Sequence, residues 1–141
     1  MNSLEKALDF LKKENATLVA INKDEIYISH ARGVAPIIEK IDKNPSFFCG
    51  ASVADKVIGK AAAMLLSKYK IKELHTSLIS EIALEYFEKT PISVTYDNLV
   101  PNIINRDKTD ICPMEKCVLS TNDDNEAEKL IRATRNNLLK K

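Results

Sequence analysis

Three stretches of the chain carry residue types that could do chemistry. The first is Val53-Ala54-Asp55-Lys56-Val57-Ile58-Gly59-Lys60. If Asp55 caps a helix, Lys56 and Lys60 stand one turn apart on its opening turns, where the helix dipole disfavours cations. A bound anion resolves that conflict, with Asp55 capping the helix or accepting a hydrogen bond from the ligand. Gly59 inside a helix costs about 1 kcal/mol relative to alanine, and such a glycine often marks close approach of a ligand or another backbone. The plainer alternative is two solvated lysines and a glycine that lets helix and sheet pack.

The second stretch is Cys112-Pro113-Met114-Glu115. A thiol at a helix N-cap faces free N–H groups, which favours the thiolate. Cys112 is therefore a candidate nucleophile, with Glu115 or Asp55 as its proton acceptor. Glu115, at the third helical position, is equally suited to reach back in a capping box. Cys117 follows Cys112 by five residues, about 140° away around a helix, so the two should neither bridge nor share a metal. Cys49 reads as core. His30 and His75 are lone histidines read as structural or exposed, and no set of Cys, His, Asp or Glu has metal-site spacing.

The third stretch is a loop over residues 97–110, where Asn102, Asn105, Arg106, Asp107 and Asp110 gather amide, guanidinium and carboxylate groups. Arg106 and Arg32 suit bidentate capture of a carboxylate or phosphate. The alternative is a solvated loop pinned by Leu99, Ile103 and Ile104. Neither G-x-x-x-x-G-K-[ST], nor G-x-G-x-x-G, nor H-E-x-x-H occurs, and no cofactor is implied.

The elements that must position these groups follow from periodicity. Leu4, Ala7, Leu8 and Leu11 behind Asn2 and Ser3 predict an opening helix that ends near Asn15. Residues 17–21 and the alternating Ile26 and Ile28, joined by Asn22-Lys23-Asp24, predict a hairpin. Val34, Ile37, Ile38 and Ile41 mark a second helix with Pro36 in its first turn and Asn44-Pro45 as its stop. A buried strand is expected over 47–53, a helix from Asp55 to about Tyr69, and a strand over 74–79. Ser80 then caps a helix that ends at Thr90-Pro91, ahead of a last strand over 92–96. Past the loop, Pro113 opens a helix, and Asp123 with Glu126 opens a terminal one bearing Ala127, Leu130, Ile131, Thr134 and Leu138.

One helix, a hairpin and three crossovers give a three-layer α/β/α sandwich with a five-stranded mixed sheet, in which the right-handed crossover rule makes all strands but the first parallel. Ligands of such sheets bind outside the carboxyl ends of the parallel strands. That rule selects 29–33, 52–56, Ser80-Glu81 and the long loop. Glu81, Arg32, Lys56, Lys60, Asn105 and Arg106 are the ligand-binding candidates.

Composition sets the outer limits. The chain has 141 residues, 45% of them hydrophobic, and a formal net charge of +1. That suits one domain with an adequate core and excludes the strongly basic surface of a nucleic-acid polymer binder. An odd, sparse set of three cysteines fits a reducing compartment. With no apolar run of about 20 residues and no signal-like opening, the expectation is a cytoplasmic protein that does not enter membranes.

Five blocks in one order, Arg32-Gly33-Val34, then 53–63, then Ile79-Ser80-Glu81, then Leu99-Val100-Pro101 with Ile104-Asn105-Arg106, then 112–115, run through nearly the whole chain. In these the sequence resembles a family of small uncharacterised prokaryotic proteins catalogued as a domain of unknown function. The resemblance implies a cytidine-deaminase-like fold and no established activity. Zinc deaminases of that fold hold the metal through H-x-E and P-C-x-x-C at two helix starts. Here His30-Ala31-Arg32 stands at the first, with arginine in place of the catalytic glutamate, and 52–55 at the second, with no cysteine. Zinc-dependent deamination is therefore not expected.

The leading expectation is a zinc-free domain that binds a small anionic, nucleotide-like ligand at the carboxyl edge of the sheet. The alternatives are a cysteine-dependent enzyme using Cys112 and a non-catalytic module that docks a partner or a second copy of itself. Whether anything is turned over is left open.

Overall fold

A computed structural model describes residues 1–104 and 110–139. Its elements are α1 (Ser3–Lys13), β1 (Leu18–Asn22), β2 (Glu25–Ser29), α2 (Ala35–Lys43), β3 (Ser52–Ile58), α3 (Lys60–Lys68), β4 (Glu73–Ser80), α4 (Glu81–Glu88), β5 (Ser93–Val100), α5 (Pro113–Lys116) and α6 (Asp124–Leu139). The sheet order is β2-β1-β3-β4-β5. β1 is antiparallel to both neighbours, and the β3–β4 and β4–β5 pairs are parallel, as the crossover rule requires. This is an α/β protein with a five-stranded mixed sheet and helices on both sides.

The layers are unequal. On one face Ala7 and Leu11 of α1 pack with Val19 and Ile21 of β1 and Ala54 of β3. The other face carries the main core, in which Ile37, Ile38 and Ile41 of α2, residues 61–66 of α3, Ala83 and Phe87 of α4, and Ala127 and Ile131 of α6 meet Leu18, Val53, Ile58 and Leu74. Among the described residues no helix is long and apolar enough to cross a membrane.

Local signals set most boundaries. The Asn2 side chain accepts from Glu5 N at 2.9 Å and caps α1, and Pro36 lies in the first turn of α2. Asp123 Oδ1 accepts from Asn125 N at 2.9 Å and Glu126 N at 3.4 Å, opening α6. α6 is then fixed by a polar network. Glu128 receives Lys68 Nζ and the Tyr69 hydroxyl, while Arg132 bridges Glu128 to Asp42 of α2. Burial would raise the Glu128 pKa, but the bonds from Lys68, Tyr69 and Arg132 outweigh it and hold the carboxyl below its usual range.

Several sequence expectations fail here. The strand expected over 47–53 begins only at Ser52, because Gly50 takes a left-handed φ of 84° and breaks any ladder before it. Phe47 and Phe48 stay buried and pack edge-on at 5.3 Å, but on a turn whose Phe47 and Cys49 carbonyls accept from the Asn22 side chain. Cys49 is accordingly exposed rather than core. The strand that does form is β3 (Ser52–Ile58), so Asp55 sits inside a strand and caps nothing. Val57 and Ile58, expected in the first turn of that helix, are β-branched residues that suit a strand equally well. Likewise β5 continues to Val100, so Asp97 and Leu99 belong to the sheet and not to the loop.

The contrast within α6 is directly testable. Ile131→Ala should lower unfolding free energy by ~2–4 kcal/mol in urea denaturation, since Ile131 is fully buried. Leu138→Asp, at a position 45% exposed, should change it by less than ~0.5 kcal/mol.

Candidate functional site

The cleft at the carboxyl edge exists because β1 runs against the other strands. β1 begins at Leu18, opposite Asp55 of β3 and Ser29 of β2. Beyond that level β3 continues to Ile58 without a β1 neighbour. The last amides on that side find other partners, with Lys56 N donating to Thr17 O at 3.1 Å and Val57 N to the Asp55 carboxylate at 3.1 Å. Across the gap the Thr17 hydroxyl lies against the carbonyls of Ser29 (3.0 Å) and Ala31 (2.6 Å), which aims the chain after β2 along the rim. Gly33, with φ of 61°, turns it into α2.

The resulting cleft holds about 380 Å³. Val34, Pro36, Ile103, Ile104 and Met114 give it apolar walls, and Arg32, Asp55 and Cys112 are polar groups on its lining. Asp55 is buried. Burial pushes its pKa up to about 8, against the smaller opposing effect of its bonds to the Val57 and Lys56 backbone. At neutral pH the group is mostly a neutral acid, and no cation pairs with it among the described residues.

Glu115 forms the end wall and holds three segments together. Its Oε2 accepts from Lys60 N at 2.8 Å and Ser80 Oγ at 2.6 Å, and its Oε1 accepts from Ile103 N at 2.6 Å. Lys60 N is the first amide of α3, one of the donors that a helix cannot satisfy internally. Ser80 Oγ in turn accepts from Ala83 N at 3.3 Å and caps α4. One buried carboxylate thus ties the β3–α3 junction, the β4–α4 junction and the chain after β5. Gly59, the N-cap of α3, makes this approach feasible, since a Cβ there would lie 2.8 Å from Glu115 Oε2 and 3.2 Å from Ile103 Cγ1.

The sequence candidates are therefore sorted by geometry. Arg32, Asp55, Lys56, Cys112 and Glu115 all line the cleft. Lys56 does so from a strand, and its ammonium bonds Asn15 Oδ1 at 2.9 Å beside α1, so the pairing of Lys56 and Lys60 along one helix is wrong. Lys60 is buried outside the cleft, with Nζ 3.4 Å from Leu119 O. Burial lowers its pKa and Lys89 adds to that, against opposing pulls from Glu115 and Glu85. Glu81 is exposed at the start of α4 and is not on the lining. Asn105 and Arg106 lie outside the described residues. Glu115 accepts from α3, Ser80 and Ile103 rather than capping its own short helix. Gly59 does mark a close approach, but as the cap of α3 and not within it.

Sequence reading missed the apolar walls and the partners of Glu115. Gly59 and Glu115 are 56 positions apart, and only the unexplained glycine hinted at the contact. The residues at the two helix starts do not suit zinc. His30 Nε2 lies 3.0 Å from Glu14 O, α2 is preceded by Arg32 and Gly33, and 59–63 at the start of α3 hold no thiol or imidazole. Among the described residues no three His, Cys, Asp or Glu groups stand together as a metal would need.

Comparison with known proteins gives three results. The family described as TM1506, domain of unknown function DUF1893, matches residues 6–134. A crystal structure of a DUF1893 family protein (TM1506) from Thermotoga maritima at 2.70 Å superposes with a TM-score of 0.83 and 33% sequence identity, covering 96% of this chain and 90% of that one. No curated protein matches.

The Glu115 junction predicts strong coupling. Glu115→Ala strands three donors and should cost ~3 kcal/mol or more in urea denaturation. Gly59→Ala should cost ~1–3 kcal/mol by overpacking. The double variant should be clearly less destabilised than the sum, because removing the carboxylate removes the clash.

Proposed function

We propose, for a chain that belongs to the DUF1893 family of unknown function, that the cleft binds a small anionic ligand of nucleotide-like build. In this reading the ligand's flat apolar part packs between Val34 and Pro36 on one side and Ile103, Ile104 and Met114 on the other. Its polar edge meets Asp55, which in its neutral form can both donate and accept, and its anionic group meets Arg32. What supports it most is Asp55, a buried acid on the lining of an apolar cleft whose carboxyl, among the described residues, has only backbone bonds. Such a group destabilises the fold and is the expected signature of a binding site. A single guanidinium at the rim among the described residues suits a small anion better than a polymer. The resemblance to a cytidine-deaminase-like fold is consistent with the β2-β1-β3-β4-β5 order and belongs to the same reading, without zinc.

A cysteine-dependent reaction is the second reading, and the observation in its favour is that Cys112 lines the same cleft. Its nominal proton acceptor Glu115 is committed to three donors, which leaves Asp55 for that role.

Two measurements bear on this. A thermal-shift screen of nucleotides and phosphorylated metabolites should give a stabilising hit. Arg32→Ala should weaken that hit by about tenfold or more, the scale of one charged hydrogen bond; no hit across the set would overturn the reading. Stability against pH is the second. The folded pKa of Asp55 is raised to about 8 from about 3.9 in the unfolded chain. Its contribution is full below the lower value, falls by about 1.4 kcal/mol per pH unit between the two, and levels off above the higher. Asp55→Asn should flatten that slope, make the protein more stable near pH 8, and lose the ligand response.

A further inference from the structure

The opposite end of the sheet poses a separate question. β5 is the outermost strand, and among the described residues nothing pairs with its outer edge. It is eight residues long and keeps a constant register with β4 from Glu73↔Ser93 to Ser80↔Val100. Its residues are largely exposed, Tyr96 at 40% and Leu99 at 43%. Soluble proteins blunt such edges with short strands, lysines, prolines or bulges, because a row of free N–H and C=O groups templates further pairing. Between Ser93 and Val100 there is no lysine and no proline, and the single charge is Asp97. The other edge, β2, is five residues long and opens on Glu25, which Lys40 Nζ holds at 2.9 Å.

We propose that the outer edge of β5 pairs antiparallel with β5 of a second copy of the chain, joining two five-stranded sheets into one of ten strands. A two-fold axis normal to the sheet restricts the register, since it allows only pairings whose residue numbers sum to an even value. Centring on Asp97 would set two carboxylates face to face, which is unfavourable. Centring on Tyr96 sets the two tyrosines together, and on the opposite face it sets Thr95 against Asp97 of the second copy, twice. That register is chemically matched. His75 already fixes both groups within each chain, with Nδ1 2.7 Å from Thr95 Oγ1 and Nε2 3.4 Å from Asp97 Oδ1. Tyr96 shares its face of the sheet with Val94, which packs on the main core, so the tyrosine pair would continue that layer across the axis.

Light scattering and sedimentation of the full chain test this. A dimer is expected. Tyr96→Lys, at an exposed position, places two ammonium groups across the axis and should halve the mass while circular dichroism and unfolding stay those of the folded protein. Tyr96→Cys should form a disulfide between the two introduced thiols under mild oxidation, located by peptide mapping, since directly opposed strand residues have Cα atoms about 4.5–5.5 Å apart. A wild-type chain that is monomeric up to its solubility limit overturns the proposal. So does a dimer that Tyr96→Lys leaves intact, or one in which the introduced thiols never cross-link.

Discussion

The Glu115 carboxylate is the interaction on which the carboxyl edge of this sheet depends. A buried carboxylate is costly unless its lone pairs are met, and here three donors from separate parts of the chain meet them. Each donor would itself be a buried orphan without the acid. Lys60 N has no intrahelical acceptor, Ser80 Oγ is needed to cap α4, and Ile103 N belongs to a connection with no regular ladder. The short helix α5 delivers Glu115 into this position, while Cys112 N donates to Ile103 O at 2.8 Å and Ile104 bridges Ile111 to close the connection on itself. Satisfying all of these groups with one residue makes the junction cooperative. It also makes it intolerant, because the space for the carboxylate is the space that a Cβ at Gly59 would take.

The cleft next to that junction follows from topology before side chains are considered. An antiparallel β1 between β2 and β3 starts where its neighbours are still running or have just turned, so a notch opens at the carboxyl edge. Thr17, Arg32 and Val57 sit around it because they lie just past the ends of the pairings that β1 makes with β2 and β3. Two buried acids line the same space and behave oppositely. Glu115 has a full set of donors and acts as a structural clamp. Among the described residues Asp55 has backbone contacts alone, burial raises its pKa, and that asymmetry separates the group that builds the cleft from the one available to something within it.

How far the sequence carries depends on how local the physics is. Asn2, Pro36, Ser80, Pro113 and Asp123 act within a few residues of themselves, and each marks its helix where the sequence places it. The β3–α3 region fails for the opposite reason. The stretch 51–66 is buried at nearly every position, since β3 is an inner strand and α3 is packed at almost all of its residues. Neither a period of two nor one of 3.6 survives there, so periodicity places the strand too early and the helix with it. That displacement carried the site residues along, taking Lys56 and Lys60 from one imagined helical face to two different environments. Arg32, Asp55 and Cys112 nevertheless lie on one cleft, because the carboxyl-edge rule depends on topology, which a shift of a few residues leaves intact.

Charge in this protein is arranged with the same economy. A net charge of +1 reads as an unremarkable surface, yet the groups at the edge of the sheet are individually placed. Lys60 is buried near Glu115 and Glu85 and serves the packing of α3 against the chain around Leu119. Lys56 is drawn to Asn15 on the far face. With Lys60 outside the cleft and the Lys56 ammonium bonded to Asn15, Arg32 remains the described cation at its mouth, beside a mostly neutral acid in its lining. The attraction such a site exerts on an anion is short-ranged, since beyond about 10 Å it is screened at ordinary ionic strength. Under the proposed function, selection among anions then comes from the apolar walls and from the hydrogen-bonding edge presented to Asp55. In the proposed function, affinity for charge and recognition of shape are divided between different residues, so each can be altered without undoing the Glu115 clamp beneath them.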